Sequence, residues 1–191
     1  KIQLWSVPGG KHLGAIDTGA QLFNIAISPQ GRWVASTGRG GKGKLWDART
    51  RKLYRTLPGH QGVSTGVSFT SDGGQLATSG MDGYVRLWDV GTGKELAALK
   101  QPAQRVWAVA ISPDDRHLAA ISWAGSVTPV TLWDLKTRRQ LAQMTGHLGP
   151  ARSIAFSPDG KEFATGGVDK TVRVWSVAER RQVARLVHHS A

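Results

Sequence analysis

Five tryptophans recur in one local setting: Leu4-Trp5-Ser6, Leu45-Trp46-Asp47, Leu87-Trp88-Asp89, Leu132-Trp133-Asp134 and Val174-Trp175-Ser176, spaced by 41, 42, 45 and 42 residues. A fixed period of this length marks a repeat architecture, in which no single unit buries its own apolar surface. A second marker keeps step. Ser28-Pro29-Gln30-Gly31, Thr70-Ser71-Asp72-Gly73, Ser112-Pro113-Asp114-Asp115 and Ser157-Pro158-Asp159-Gly160 precede the last four tryptophans. Their second residues stand 17, 17, 20 and 17 positions ahead of those tryptophans. The third full repeat therefore carries three extra residues between Pro113 and Trp133.

Within a repeat the apolar runs are short: Val67–Phe69, Gln75–Thr78, Tyr84–Trp88 and Glu95–Leu99, separated by Gly, Pro, Asp and Ser. No stretch keeps helical spacing over ten residues. Four short strands per repeat make one four-stranded antiparallel blade, and blades stack radially around an axis. The predicted fold class is all-β.

Composition bounds the rest. A 191-residue chain that is 40% hydrophobic, with eight Trp, is an ordered unit with a sizeable core. The absence of cysteine excludes a disulfide framework and a cysteine zinc site, and fits the cytoplasm. No apolar run approaches the ~18 residues of a membrane span. The first residue is Lys1, so a signal peptide is neither visible nor excluded. The net charge of +12 favours acidic partners and says nothing about fold.

These repeats resemble the WD40 family over essentially the whole chain. The period, the Leu-Trp-Asp ends, the Ser-Pro-Asp-Gly turns and the dipeptides Gly59-His60 and Gly146-His147 carry the resemblance. It implies a β-propeller, usually of seven blades, with strand a innermost and strand d outermost. On that frame residues 1–7 and 11–17 are strands c and d of a half blade. Complete blades cover about 21–58, 63–100, 105–145 and 151–187. As repeats within a single partial propeller, 1–191, the divisions are 1–19, 20–61, 62–103, 104–148 and 149–191.

Four and a half blades make an incomplete propeller, an open arc. The expectation is a segment of a longer, bacterial-type protein. The missing initiator Met agrees. So does His189, which follows Trp175 by 14 residues, as His60 follows Trp46 and His147 follows Trp133. An isolated arc exposes blade faces that the parent's other blades would cover, and is expected to self-associate.

Two sets of residues share one spacing: His60, Thr78, Asp82 and Trp88, and His147, Thr165, Asp169 and Trp175. His, Thr and Asp could be read as a nucleophile triad. A catalytic site rarely recurs within one chain, whereas a blade's scaffold must recur. The expected role is a structural hydrogen-bond network that satisfies the indole donor. The other two blades depart from it. The blade ending in Trp46 has Gly19, Ser36 and Gly40 at the His, hydroxyl and Asp positions. The blade ending in Trp133 has Pro102 and Ala120 at the first two and no turn Asp. A buried Trp donor there needs another partner.

Gly38, Gly43 and Lys44 match the start of a phosphate-binding loop, but Leu45 replaces the magnesium-liganding hydroxyl and a strand follows. A Gly-rich hairpin turn is expected instead. No local carboxylate pair or metal-ligand spacing stands out, so neither catalytic residues, metal nor cofactor is expected.

Function then falls to the surface. The resemblance implies partner contacts on the face of the d–a and b–c loops, at positions three and five after the His and one before the turn Asp. Those positions are Val63, Thr65 and Met81; Pro150, Arg152 and Val168; Arg105 and Trp107; and Leu22, Asn24 and Arg39. Trp107 lies off the repeat's Trp position, and Trp123 flanks the three-residue insertion. With Arg105 and Arg152 they form a candidate aromatic and cationic patch, though Trp107 could equally pack against a neighbour.

Lys11, Lys52, Lys94, Arg139 and Arg181 each follow a repeat Trp by six residues, with Arg51, Arg138 and Arg180 beside three of them. This outer arc is either a solvated rim or a footprint for non-specific, salt-sensitive nucleic-acid binding. No aromatics interleave with it, so nucleic acid is the lesser expectation. The leading expectation is a non-catalytic scaffold whose partners are proteins or peptides, binding through Arg39, Met81, Arg105, Trp107, Trp123 and Arg152. A sensory or regulatory module of a larger enzyme, such as a protein kinase, is compatible with it.

Overall fold

The computed structural model describes residues 1–187; His188 and His189 lie outside the described residues. Strands β1 (Ile2–Trp5) and β2 (His12–Ile16) pair as a two-stranded half blade. Blade 1 follows with β3 (Leu22–Ile27), β4 (Trp33–Gly38), β5 (Gly43–Asp47) and β6 (Leu53–Leu57). Blade 2 holds β7 (Ser64–Phe69), β8 (Gln75–Gly80), β9 (Tyr84–Asp89) and β10 (Glu95–Lys100). Blade 3 holds β11 (Arg105–Ile111), β12 (His117–Trp123), β13 (Val127–Asp134) and β14 (Gln140–Leu148). Blade 4 holds β15 (Ala151–Phe156), β16 (Glu162–Gly167), β17 (Thr171–Ser176) and β18 (Arg181–Val187). Pairing is antiparallel and sequential within every sheet, and the sheets form an arc that does not close.

The structure explains the tryptophan period. Each sheet is apolar on both faces, and the Trp of each blade plugs back against the preceding one. Trp46 packs with Ile2 and Ile16 of the half blade. Trp88 packs with Leu45 and Leu57 of blade 1, and Trp133 with Leu87 and Leu99 of blade 2. Trp175 packs with Leu132 and Met144 of blade 3. One large side chain per repeat thus fills each inter-blade core, and none of these cores belongs to a single sheet.

The polar markers close the turns. The Asp after Trp caps the c–d turn: Asp47 accepts from Thr50 N at 2.7 Å, Asp89 from Thr92 N at 2.6 Å and Asp134 from Thr137 N at 2.6 Å. The first residue of the other marker closes the a–b turn. Ser28 Oγ accepts from Trp33 N at 3.0 Å and Ser112 Oγ from His117 N at 2.9 Å. Asp115 takes the left-handed φ of 57° where the other three repeats place Gly. Its carboxylate offsets that cost by accepting from the Ser71 amide and hydroxyl, tying blade 3 to blade 2. The three extra residues lengthen the b–c hairpin of blade 3, where β12 and β13 have 7 and 8 residues against 6 and 6 in blade 2. Residues 38–44 form the expected Gly-rich hairpin turn between β4 and β5.

Candidate functional site

The two repeated polar sets assemble into matching relays. Trp88 Nε1 donates to Thr78 Oγ1 at 2.8 Å. Thr78 Oγ1 lies 2.9 Å from His60 Nε2, and His60 Nδ1 lies 2.8 Å from Asp82 Oδ1. The Thr hydroxyl has one proton to give, so the consistent assignment is Trp to Thr, Thr to His Nε2 and His Nδ1–H to Asp. That direction requires a neutral imidazole. Burial lowers the His60 pKa, outweighing the opposing pull of Asp82. In blade 4 Trp175, Thr165, His147 and Asp169 repeat the chain at 2.8, 2.8 and 3.0 Å. Thr78 and Thr165 are buried and hydrogen-bonded on two sides, so neither is placed to attack a substrate.

Acid should weaken both relays. Burial alone would raise the Asp169 carboxyl, but the His147 ring N–H, the Thr171 hydroxyl and the Leu148 amide hold it well below the usual carboxylate range. Asp82 is likewise lowered, its burial overcome by His60 and Arg86. A pKa lower in the folded chain than in the unfolded one means that the unfolded state takes up protons first as pH falls. His60 therefore loses stability for the fold below pH of about 6.5, and the two Asp below about 4. The unfolding midpoint is expected to fall in these two stages between neutral pH and pH of about 3. A flat midpoint across that range would contradict the assignment.

The blades that lack these markers resolve the indole donor differently. In blade 1 Trp46 Nε1 donates to Ser36 Oγ at 2.9 Å, with no His behind it. In blade 3 Ala120 offers no acceptor, and Trp133 Nε1 is enclosed without a partner. The polar tie moves to a neighbouring residue. Gln101 is buried, accepts from Thr131 Oγ1 at 2.6 Å and donates to Leu99 O at 3.1 Å. Repeat spacing points to exposed Pro102, one residue away, and overlooks this pair; an amide beside the expected His was the available signal. Ala120→Ser should supply the missing acceptor and raise folding stability by about 1 kcal/mol. Chemical denaturation measures this directly, and a loss of stability would show that the site has no room for the hydroxyl.

In every full blade, strand a is bulged where it begins. The ladder skips Phe23, Thr65, Trp107 and Arg152, one residue in each full blade. A bulge re-aims its side chain, here toward the side of the d–a and b–c loops. Thr65 is buried, and its hydroxyl donates to Val106 O of the next blade at 2.6 Å. Phe23, not Asn24, is the equivalent residue in blade 1; the absence of a His marker shifts the count from sequence by one. Trp107 is half-buried, with its Nε1 enclosed and unpartnered. The exposed Arg152 places its guanidinium 5.1 Å from the Trp107 ring centre, across the junction of blades 3 and 4. Arg105 lies 5.4 Å from the Trp123 ring. Trp123 Nε1 donates to Gly125 O at 2.5 Å, which folds the ring over the lengthened hairpin. Beside this second pair is a cleft of about 420 Å³ lined by Pro102, Ala103, Gln104, Arg105, Trp123, Ala124 and Gly125. Arg39, Met81 and Val168 occupy the b–c turns of blades 1, 2 and 4, each held by its own amide to Gln21, Val63 and Pro150. Neither Arg39 nor Met81 belongs to the two stacked pairs.

Three arginines that flank the basic arc are tied into the fold. Arg51, Arg138 and Arg180 take left-handed φ values of 62°, 61° and 54° at equivalent c–d turns. Each guanidinium reaches back to a strand-d carbonyl of the preceding blade: Leu13 at 2.6 Å, Leu96 at 2.5 Å and Leu141 at 3.4 Å. Blade 2 has Gly93 at this turn, and there Arg55 of blade 1 donates forward to Gly91 O at 2.9 Å. Arg138→Ala should therefore lower stability by up to about 1 kcal/mol, read as a drop in thermal midpoint. A cation held only by solvent would leave the midpoint unchanged.

A family model described as WD domain, G-beta repeat matches residues 12–47, 51–89, 93–128 and 138–176, well over half of the chain. The chain belongs to the WD-repeat family. Its WD repeats run from strand d of one blade through strand c of the next, so every repeat bridges two sheets. The third match ends at Thr128, inside the lengthened hairpin of blade 3. Autophagy-related protein 16 of Arabidopsis thaliana is 28% identical over 130 residues, which is 66% of this chain and 26% of that protein. The WD-repeat chain thus spans about a quarter of that relative's length. WD-repeat proteins are generally non-catalytic scaffolds that bind other proteins, and the match supports a protein-interaction scaffold in that general sense. No helix among the described residues is long and apolar enough to cross a membrane.

Proposed function

We propose that this chain holds a protein or peptide on the d–a/b–c loop face of blades 3 and 4, without catalysing a reaction on it. The observation that carries the reading is the stacking of Arg152 on Trp107 and of Arg105 on Trp123, the second beside a 420 Å³ cleft. Trp and Arg are the side chains that most often dominate binding energy. Among the described residues neither arginine forms an ion pair, so their charge is available to a partner's carboxylates. The partner chemistry is an acidic segment with at least one apolar side chain for the cleft. Arg39 and Met81 extend the same face over blades 1 and 2. On the rim, the turn arginines Arg51, Arg138 and Arg180 have a structural role beside their charge, since each donates to a carbonyl of the preceding blade.

The test is selection of peptides from a random display library on the immobilised chain. Selected peptides should be acidic, and Arg105→Ala or Arg152→Ala should weaken them while Lys52→Ala does not. Peptides indifferent to both arginine changes would refute the site.

A further inference from the structure

The rim at the junction of blades 1 and 2 carries an aromatic stack that the repeat itself does not require. Trp33, the first residue of β4, and Tyr54 of β6 lie with ring centres 4.2 Å apart and planes 29° from parallel. The Arg32 guanidinium is 4.5 Å from the Trp33 ring centre, and the Arg55 guanidinium 5.1 Å from that of Tyr54. Strand register puts Gln75 and Leu96, His117 and Leu141, and Glu162 and Val183 at the same two places in blades 2, 3 and 4. Spacing along the sequence interleaves no aromatics with the turn cations, but the fold brings two to them. The Ala48 amide donates to Arg32 O at 2.9 Å, which sets the a–b turn of blade 1 against the c–d turn that holds Arg49, Arg51 and Lys52. Tyr54 stands two residues beyond Lys52 and is 42% exposed. Its hydroxyl and the Arg55 guanidinium both donate to Gly91 O, at 3.4 and 2.9 Å, so blade 2 fixes the stack in place.

We infer that this rim of blade 1 binds single-stranded nucleic acid, with an unpaired base stacked on the exposed Tyr54 ring and Arg32, Arg49 and Lys52 on the phosphates beside it. Aromatic rings set among cations are what hold single strands, because every base has a π-face and every linkage a charge. Guanidinium planes such as that of Arg32 stack bases as well. Arg32, Arg49 and Lys52 are exposed and form no ion pair among the described residues. The carboxylates at these turns, Asp47 and Asp89, accept from the Thr50 and Thr92 amides and cap their own turns. Blade 3 supplies the internal contrast. Lys136, Arg138 and Arg139 give its c–d turn as many cations as Arg49, Arg51 and Lys52 give blade 1, but His117 and Leu141 stand in place of Trp33 and Tyr54. The site lies at the a–b/c–d end of the blades, away from the loop face of blades 3 and 4, and stands independently of it.

The probes are fluorescein-labelled oligo(dT) and oligo(U) of about twelve nucleotides and a DNA duplex of the same length, added to the intact chain and followed by anisotropy. Both single strands should bind more tightly than the duplex at equal salt, with log affinity falling against log salt by about 0.7 per phosphate held. Tyr54→Leu, which installs the residue that blades 2 and 3 carry there, should weaken both strands about tenfold. Arg32→Ala changes an exposed side chain and should weaken them by a similar factor, which decides the matter if Tyr54→Leu lowers the unfolding midpoint. Lys52→Ala should reduce the salt slope. Lys136→Ala removes the same charge from blade 3 and should change affinity by less than about twofold. Affinity unchanged by Tyr54→Leu and Arg32→Ala, a duplex bound as tightly as the strands, an equal loss from Lys136→Ala, or no binding at low salt would overturn the inference. So would full displacement of the strand by a polyglutamate peptide of equal charge, because the rim would then be a surface for acidic protein.

Discussion

His147→Ala is expected to destabilise the fold by about 3 kcal/mol. His147 is fully buried, between Thr165 Oγ1 at 2.8 Å and Asp169 at 3.0 Å. Truncation removes the acceptor of the Thr165 hydroxyl and one donor to the carboxylate, and leaves a ring-sized cavity. Asp169 keeps the Leu148 amide and Arg173 at 3.6 Å, so the loss stays below that of an unpaired buried charge. His60→Ala should behave similarly. Pro102→Ala, at the same repeat position in blade 3, should stay within about 0.5 kcal/mol. Urea unfolding of the three variants decides the matter. If His147→Ala were as mild as Pro102→Ala, the relays would not be what holds blades 2 and 4 together.

Trp107→Ala is expected to weaken a peptide selected on this chain by about 2 kcal/mol, or roughly thirtyfold. The ring is half-buried at a bulge, so truncation also removes some packing, and a fall in affinity alone would be ambiguous. Arg152→Ala separates the two effects. Arg152 is exposed and contacts the Trp107 ring from above, so its removal should spare the unfolding midpoint while affinity falls. Affinity that tracks stability across both variants would point to a packing role for Trp107.

The fold was legible because its strongest marker is also its packing unit. Trp46, Trp88, Trp133 and Trp175 recur in sequence because each junction needs one plug. The relays were legible for the same reason, since Thr78 and Asp82 must meet His60 at fixed distances along paired strands. The tie through Gln101 and Thr131 was hidden, because a degenerate blade satisfies its polar groups with whatever lies within reach. The position inferred from sequence, Asn24, lies one residue past the bulged Phe23, since no marker in blade 1 anchors the count. The turn arginines looked like surface charge, because nothing in their spacing shows a left-handed φ or a carbonyl across a blade junction. The pairing of Arg105 with Trp123 rather than with Trp107 depends on the hairpin lengthened by three residues, whose path repeat spacing does not define.

Amide hydrogen exchange of the chain with and without a selected peptide tests the central claim most directly. Binding on the loop face should slow exchange at residues 103–107, 123–126 and 150–153, and leave the c–d turns at 48–51 and 136–139 unchanged. Protection confined to those c–d turns would place the partner on the basic rim and contradict the account.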